Sequence, residues 1–261
     1  MTVKVRSVAG MALALSIVLA ALAVDAIAAE KPSTQTELTQ GFLAGIGSYR
    51  RGDYAAAAEN FLKIAMAGVV NARLYYNLAN AYLKSSDLGR AVLWYERALK
   101  LDPGDPDLKF NYAYANSLLQ DETGDSGSIW RILFFWKYQI SKKALLWTAT
   151  ALNALFWILL GVRILRQKRP FNAAVTAVLT VTIVFVATAG YNFFEEAHLR
   201  RGVVLPGSLS VRSGLTPEAT ELFVLHAGTR VRVEGENSQF VRIYYSPGKI
   251  GWVSKDAIGI I

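Results

Sequence analysis

At 261 residues, 53% of them hydrophobic, the chain is long enough for two small domains beside membrane segments. It contains no cysteine, which excludes disulfide frameworks, thiolate zinc sites and cysteine nucleophiles. The net charge of +8 is not a nucleic-acid face. Between Glu30 and Gln120 ten basic residues meet nine acidic, and from Gly202 to Ile261 six meet five, so the excess flanks apolar segments, where cations sit at headgroups.

Residues 1–29 read as an export signal peptide. Lys4 and Arg6 precede an apolar run from Val8 to Val24, and Ala26-Ile27-Ala28 offers a small-residue cleavage site. An uncleaved signal anchor is the alternative; in either case the following residues are exported.

From residue 36 to 120 the pattern is helical and repeats. Gly45, Ala57 and Phe61 are matched 34 residues later by Ala79, Ala91 and Tyr95, and the turn Gly52-Asp53-Tyr54 by Ser86-Asp87-Leu88. That period, with small residues where paired helices cross, is the tetratricopeptide signature. The unit Ala72–Asp105 fits best; the first unit carries Ser48 where Tyr82 stands, and a third helix over 106–119 would cap the stack. Such stacks present a concave groove. The spacing places Phe42, Ile46, Tyr49 and Arg50 there from the first unit. The second unit adds Arg73, Tyr76, Asn80, Leu83 and Lys84, and the capping helix Phe110 and Tyr114. Aromatic rings interleaved with cations suit a peptide or an acidic partner terminus. The alternative is that these side chains only stabilise a short stack or face the membrane.

Gln120–Ser128 is a polar linker, and 129–141 carries Trp, Tyr, Arg and Lys in the proportions of an interfacial helix. A base helix of the repeat domain is the alternative there. Two uncharged apolar segments follow, 144–163 (counting the closing Arg163) and 171–194, each long enough to cross a bilayer core of about 30 Å. The short turn between them holds Arg163, Arg166, Lys168 and Arg169, which assigns it to the cytoplasmic side and the rest to the opposite face. Ala173, Thr176, Ala177 and Thr180 recur at helical spacing and are expected to pack against the partner span. Apart from the closing Arg163, neither span contains an acid, a base or a histidine, which argues against transport.

Residues 202–261 turn to β patterning: Ser208–Arg212, Leu222–Leu225, Thr229–Val233 and Phe240–Tyr245 alternate or are β-branched. Five or six short strands are expected to curl into a small barrel. The strings Ser210-Val211-Arg212-Ser213-Gly214, Leu225-His226-Ala227-Gly228-Thr229 and Gly251-Trp252-Val253 resemble the bacterial SH3-like domain, with Phe240 where a Trp is common. His198 and His226 are read as surface or packing residues.

The expected fold class is therefore a multidomain membrane protein: an all-α tetratricopeptide stack, a two-helix transmembrane hairpin and a small all-β SH3-like barrel. This order is similar to BatE-type proteins of the bacterial aerotolerance operon, most specifically through Tyr75–Ala79 and Ala98–Leu108. The resemblance implies an inner-membrane scaffold, periplasmic in its soluble parts, working with von Willebrand factor A-domain membrane proteins and a MoxR-type ATPase. No enzyme activity, cofactor or metal is expected; Gly45-Ile-Gly47 lies in a helical stretch and lacks the third glycine of a dinucleotide loop. An envelope sensor binding peptidoglycan through the SH3-like tail is the alternative.

Overall fold

The computed structural model describes residues 32–121, 136, 139–169, 171–216 and 218–261. The export signal over 1–29, and the linker and interfacial helix over 120–141 apart from residues 120, 121, 136 and 139–141, lie outside the described residues. The chain forms two compact units. One holds the two apolar helices; the other holds the helix stack together with the β-rich tail.

The stack has five helices: α1 (Pro32–Arg50), α2 (Tyr54–Met66), α3 (Ala72–Lys84), α4 (Leu88–Leu101) and α5 (Pro106–Ser117). The starts of α2 to α5 are set by side-chain caps. Asp53 accepts from the Ala56 amide at 3.1 Å and Asp87 from the Arg90 amide at 3.0 Å, while Asn71 and Asp105 cap α3 and α5. The repeat extends to the backbone. Gly52 and Ser86, 34 residues apart and each just before its capping aspartate, both have positive φ, 83° and 66°.

Crossing geometry explains the small residues. A Cβ on Gly45 would lie 2.5 Å from the Phe61 ring, so only glycine lets α1 cross α2 at that distance. Ala79, Ala91 and Tyr95 are fully buried at the equivalent crossing of α3 and α4. Leu74, Leu78, Val92, Ala98 and Leu108 complete the core.

The tail is a seven-stranded antiparallel sheet: β1 (Arg200–Val204), β2 (Ser208–Arg212), β3 (Glu221–His226), β4 (Arg230–Glu236), β5 (Phe240–Ser246), β6 (Lys249–Ser254) and β7 (Ile258–Ile260). The spatial order is β3-β2-β6-β5-β4-β1-β7. The sheet is not closed, so the expected barrel of five or six strands is corrected to an open sheet of seven. β1 and β7 pair with each other (Gly202 with Ile260), and β1 is followed by Pro206-Gly207, where alternation is broken. Val211, Leu225, Val231, Val241, Ile243 and Val253 point to one shared core.

The other unit contains α6 (Lys142–Leu165) and α7 (Ala173–His198), both long and apolar enough to cross a membrane. α6 ends in a left-handed cap at Gln167, φ 51°, with the Lys168 amide donating to the Arg163 carbonyl and the Gln167 amide to that of Ile164. Each helix buries only a narrow stripe, Leu145, Ala149 and Phe156 on α6 and Val175, Thr182 and Thr188 on α7; Trp147, Ile158, Ile183 and Phe193 stand exposed. The expected face of α7 is thereby corrected: Ala173, Thr176, Ala177 and Thr180 are exposed. Both sets have helical spacing, and the threonine hydroxyls of either are satisfied by the carbonyl four residues back, as Thr180 and Thr182 show. Composition therefore does not choose the face.

Candidate functional site

Helices α3, α4 and α5 supply a common polar cluster, with Tyr49 of α1 close by. Asn80, on α3, accepts through Oδ1 from the Tyr95 hydroxyl at 2.5 Å and from Asn111 Nδ2, on α5, at 3.1 Å. Asn111 also donates to the Tyr76 hydroxyl at 2.7 Å. Tyr76 and Tyr95 have ring centroids 6.3 Å apart, and Tyr49 on α1 stacks edge-on against Tyr54 at 5.1 Å. Burial, and then the neighbouring phenols, push the Tyr49 and Tyr95 hydroxyls above the ordinary tyrosine value, so both are neutral donors at physiological pH. With both lone-pair directions of Oδ1 engaged, the Asn80 amide is fixed in orientation, and among the described residues its Nδ2 makes no hydrogen bond. A half-buried amide donor among rings suits a main-chain carbonyl of an extended peptide.

Of the residues expected to line the groove, Tyr49, Tyr76 and Asn80 are brought around this cluster. Phe42 is half-buried and turned to the helical core, its ring 5.5 Å from that of Phe61; Ile46 and Leu83 pack on the same core. Arg50, Arg73 and Lys84 are exposed and make no ion pair among the described residues. Phe110 and Tyr114 are exposed on α5, at 75% and 57%. Tyr95 was legible only as a crossing residue, and Asn111 was missed. Its signal was present: Leu108, Asn111 and Ala115 lie 34 residues after Leu74, Asn77 and Ala81, so α5 continues the repeat.

A second cluster joins the stack to the sheet, and sequence reasoning missed it altogether. Arg230 on β4 donates to Glu96 on α4 and to Tyr112 and Asn116 on α5, and its guanidinium lies 5.2 Å over the Tyr112 ring. Burial alone would lower the Arg230 pKa, but Glu96 and Tyr112 raise it, so it is held charged. Arg97 on α4 donates twice to the Ile260 carbonyl, at 3.2 and 2.6 Å, and sits 4.4 Å over Trp94. Asp121, just past α5, accepts from the His226 amide at 2.7 Å and the Thr229 hydroxyl at 2.5 Å, with His226 Nδ1 at 2.9 Å. Burial would raise the Asp121 pKa, yet these hydrogen bonds and the imidazole hold it below the usual carboxylate range. Val203, Leu205 and Ile261 of the tail complete the apolar part by packing on the helical core. Sites on stack and sheet are thus carried by one body.

Residues 42–106 match the tetratricopeptide repeat family. No curated protein matches the chain. The five-helix arrangement fits that match, and tetratricopeptide stacks are modules for binding proteins on their concave side. The matched segment contains Tyr49, Tyr76, Asn80 and Tyr95 but stops before Asn111.

Proposed function

We propose that this chain is a non-enzymatic scaffold, held in a membrane by α6 and α7, whose helix groove takes an extended segment of a partner protein. Asn80 carries the reading: its carbonyl oxygen is tied down by Tyr95 and Asn111, and its donors are left to the groove between Tyr49 and Tyr76. Arg50, Arg73 and Lys84 add positive charge around the groove, which suits an acidic partner segment. The docked tail supports the topology of a hairpin. Residues 32–121 and 195–261 belong to one unit, so an even number of spans must separate them, and α6 with α7 supplies two. By the charge of the Arg163–Arg169 turn, that unit lies on the extracytoplasmic, periplasmic side of the inner membrane.

The resemblance to BatE-type proteins names the partners to seek, von Willebrand factor A-domain membrane proteins. Crosslinked purification of the tagged chain from native membranes tests this, run beside a variant with Arg73→Ala, Lys84→Ala and Tyr114→Ala. These three side chains are exposed, so the variant keeps its fold. Recovery of a von Willebrand-type partner with the parent chain and its loss in the variant is the expected result. Equal recovery from both would move the contact off the groove. Recovery of no protein, with cosedimentation of the chain with cell-wall sacculi instead, would sink the scaffold reading in favour of an envelope sensor.

A further inference from the structure

The sheet has a second face, which the joint occupies at Val203 and Arg230 and leaves unused farther along β5, β6 and β2. Along β4, β5 and β6, Val231, Val233, Val241, Ile243 and Val253 point inward, so the alternate residues point out. Cross-strand registers align those outward residues in two rows. In one, Arg201 lies opposite Arg232, which lies opposite Tyr244; in the other, Arg242 and Arg212 flank Trp252 from either side. The Arg232 guanidinium covers the Tyr244 ring at 4.4 Å. Three carboxylates border the face: Glu195 pairs with Arg201, Glu234 with Arg232, and Glu221 takes the Ser210 hydroxyl. Arg212 and Arg242, either side of the tryptophan, make no ion pair among the described residues.

Chain connectivity ties this sheet closely to the end of the apolar stretch. β1 starts two residues after α7 ends, and Arg201 bonds Glu195, where the apolar stretch of α7 stops, at 2.5 Å. Trp, Tyr and Arg in company are the composition of the bilayer interface, and arginine pairs bidentately with phosphate.

We propose that this outer face of the sheet docks on anionic phospholipid headgroups, with Arg212 and Arg242 on phosphates and Trp252 and Tyr244 at the headgroup boundary. The proposal rests on α6 and α7 being membrane spans. Docking would hold the sheet, and the stack fixed to it, at a defined attitude to the bilayer.

Because the chain has no cysteine, single labels can be placed on the whole protein. One spin label goes at Ser254→Cys, exposed on the same face as Trp252, and another, in a separate preparation, at Thr180→Cys, exposed in the first half of α7. The protein is reconstituted in nanodiscs of phosphatidylcholine alone or with phosphatidylglycerol. Collision with lipid-soluble oxygen and with a water-soluble nickel chelate is then measured. The expected result is that the Ser254 label is shielded from nickel only in the anionic discs. Each of Arg212→Gln and Arg242→Gln should lower the docked-to-free ratio about fivefold, as should raised salt for the pair together. The Thr180 label should read lipid throughout. A Ser254 label open to nickel in both discs, with the Thr180 label in lipid, overturns the docking while leaving the spans. A Thr180 label open to nickel shows that the span reading failed first, and the proposal falls with it.

Discussion

Gly89, in the first turn of α4, sets two effects against each other. A Cβ placed there would lie 2.3 Å from the Leu205 carbonyl oxygen and 2.8 Å from its carbonyl carbon and Cα, which are backbone atoms and cannot swing aside. In an isolated helix, Gly→Ala gains up to about 1 kcal/mol, and less in a first turn. Forcing a methyl into a closed backbone contact loses about 1–3 kcal/mol. The clash is therefore the larger effect, and Gly89→Ala should destabilise the sheet–stack joint by about 1–2 kcal/mol net. Gly47→Ala is the matched control. Its Cβ would meet only the tip of the Arg51 side chain, at 3.4 Å, so the helix term should win and raise stability by up to about 1 kcal/mol. The assay is hydrogen exchange of the whole chain in detergent micelles, comparing protection of α4 amides with that of β1 and β7. Gly89→Ala should lower protection of β1 and β7 and of Leu93 in α4, whereas Gly47→Ala should raise that of α1. Should Gly89→Ala instead stabilise α4 and leave β1 and β7 unchanged, the sheet does not sit on α4 as described.

Three further outcomes follow from the same contacts. Ser86→Gly relieves the steric cost of a side chain in a left-handed conformation, and should raise stability by about 0.5 kcal/mol in urea melts monitored by circular dichroism, whereas Gly52→Ala should lower it. Arg230→Met strands the partly buried Glu96 and should cost about 2 kcal/mol, most of it recovered in the double variant with Glu96→Leu; a double variant no better than the single one would mean that the pair is not coupled. Asp121 has its folded-state pKa below the unfolded value, so its contribution is present at neutral pH and is lost as acid titrates it below about pH 4. Asp121→Asn should weaken the joint at pH 7 and flatten the acid limb of a stability–pH profile, and an unchanged acid limb would remove Asp121 from the joint.

Periodic and local features were legible in the order of residues alone. The turns Gly52-Asp53-Tyr54 and Ser86-Asp87-Leu88 marked two helix starts, because a capping side chain acts on amides two or three residues away. Crossing positions followed from the 34-residue recurrence of Gly45 with Ala79 and of Phe61 with Tyr95, because a stack repeats its own packing. The apolar stretches of α6 and α7 followed from length and lack of charge. The three groove residues Tyr49, Tyr76 and Asn80 could be placed on a face by spacing. What they bond could not, since Asn111 arrives from another helix.

Tertiary structure decided the rest, where partners are far apart in the chain or where two faces are chemically alike. Arg230 and Glu96 are 134 positions apart, and neither carries a local pattern that announces the other. Gly89 reads as an ordinary helix glycine beside Ala55 of the first repeat, and only the presence of Leu205 against it shows why no side chain fits. The sheet stays open because closure depends on the pairing of its edge strands, while each strand's own alternation fixes only which side faces in. On α7, Thr180 and Thr182 satisfy their hydroxyls identically within the helix, so only the surroundings select which one is buried.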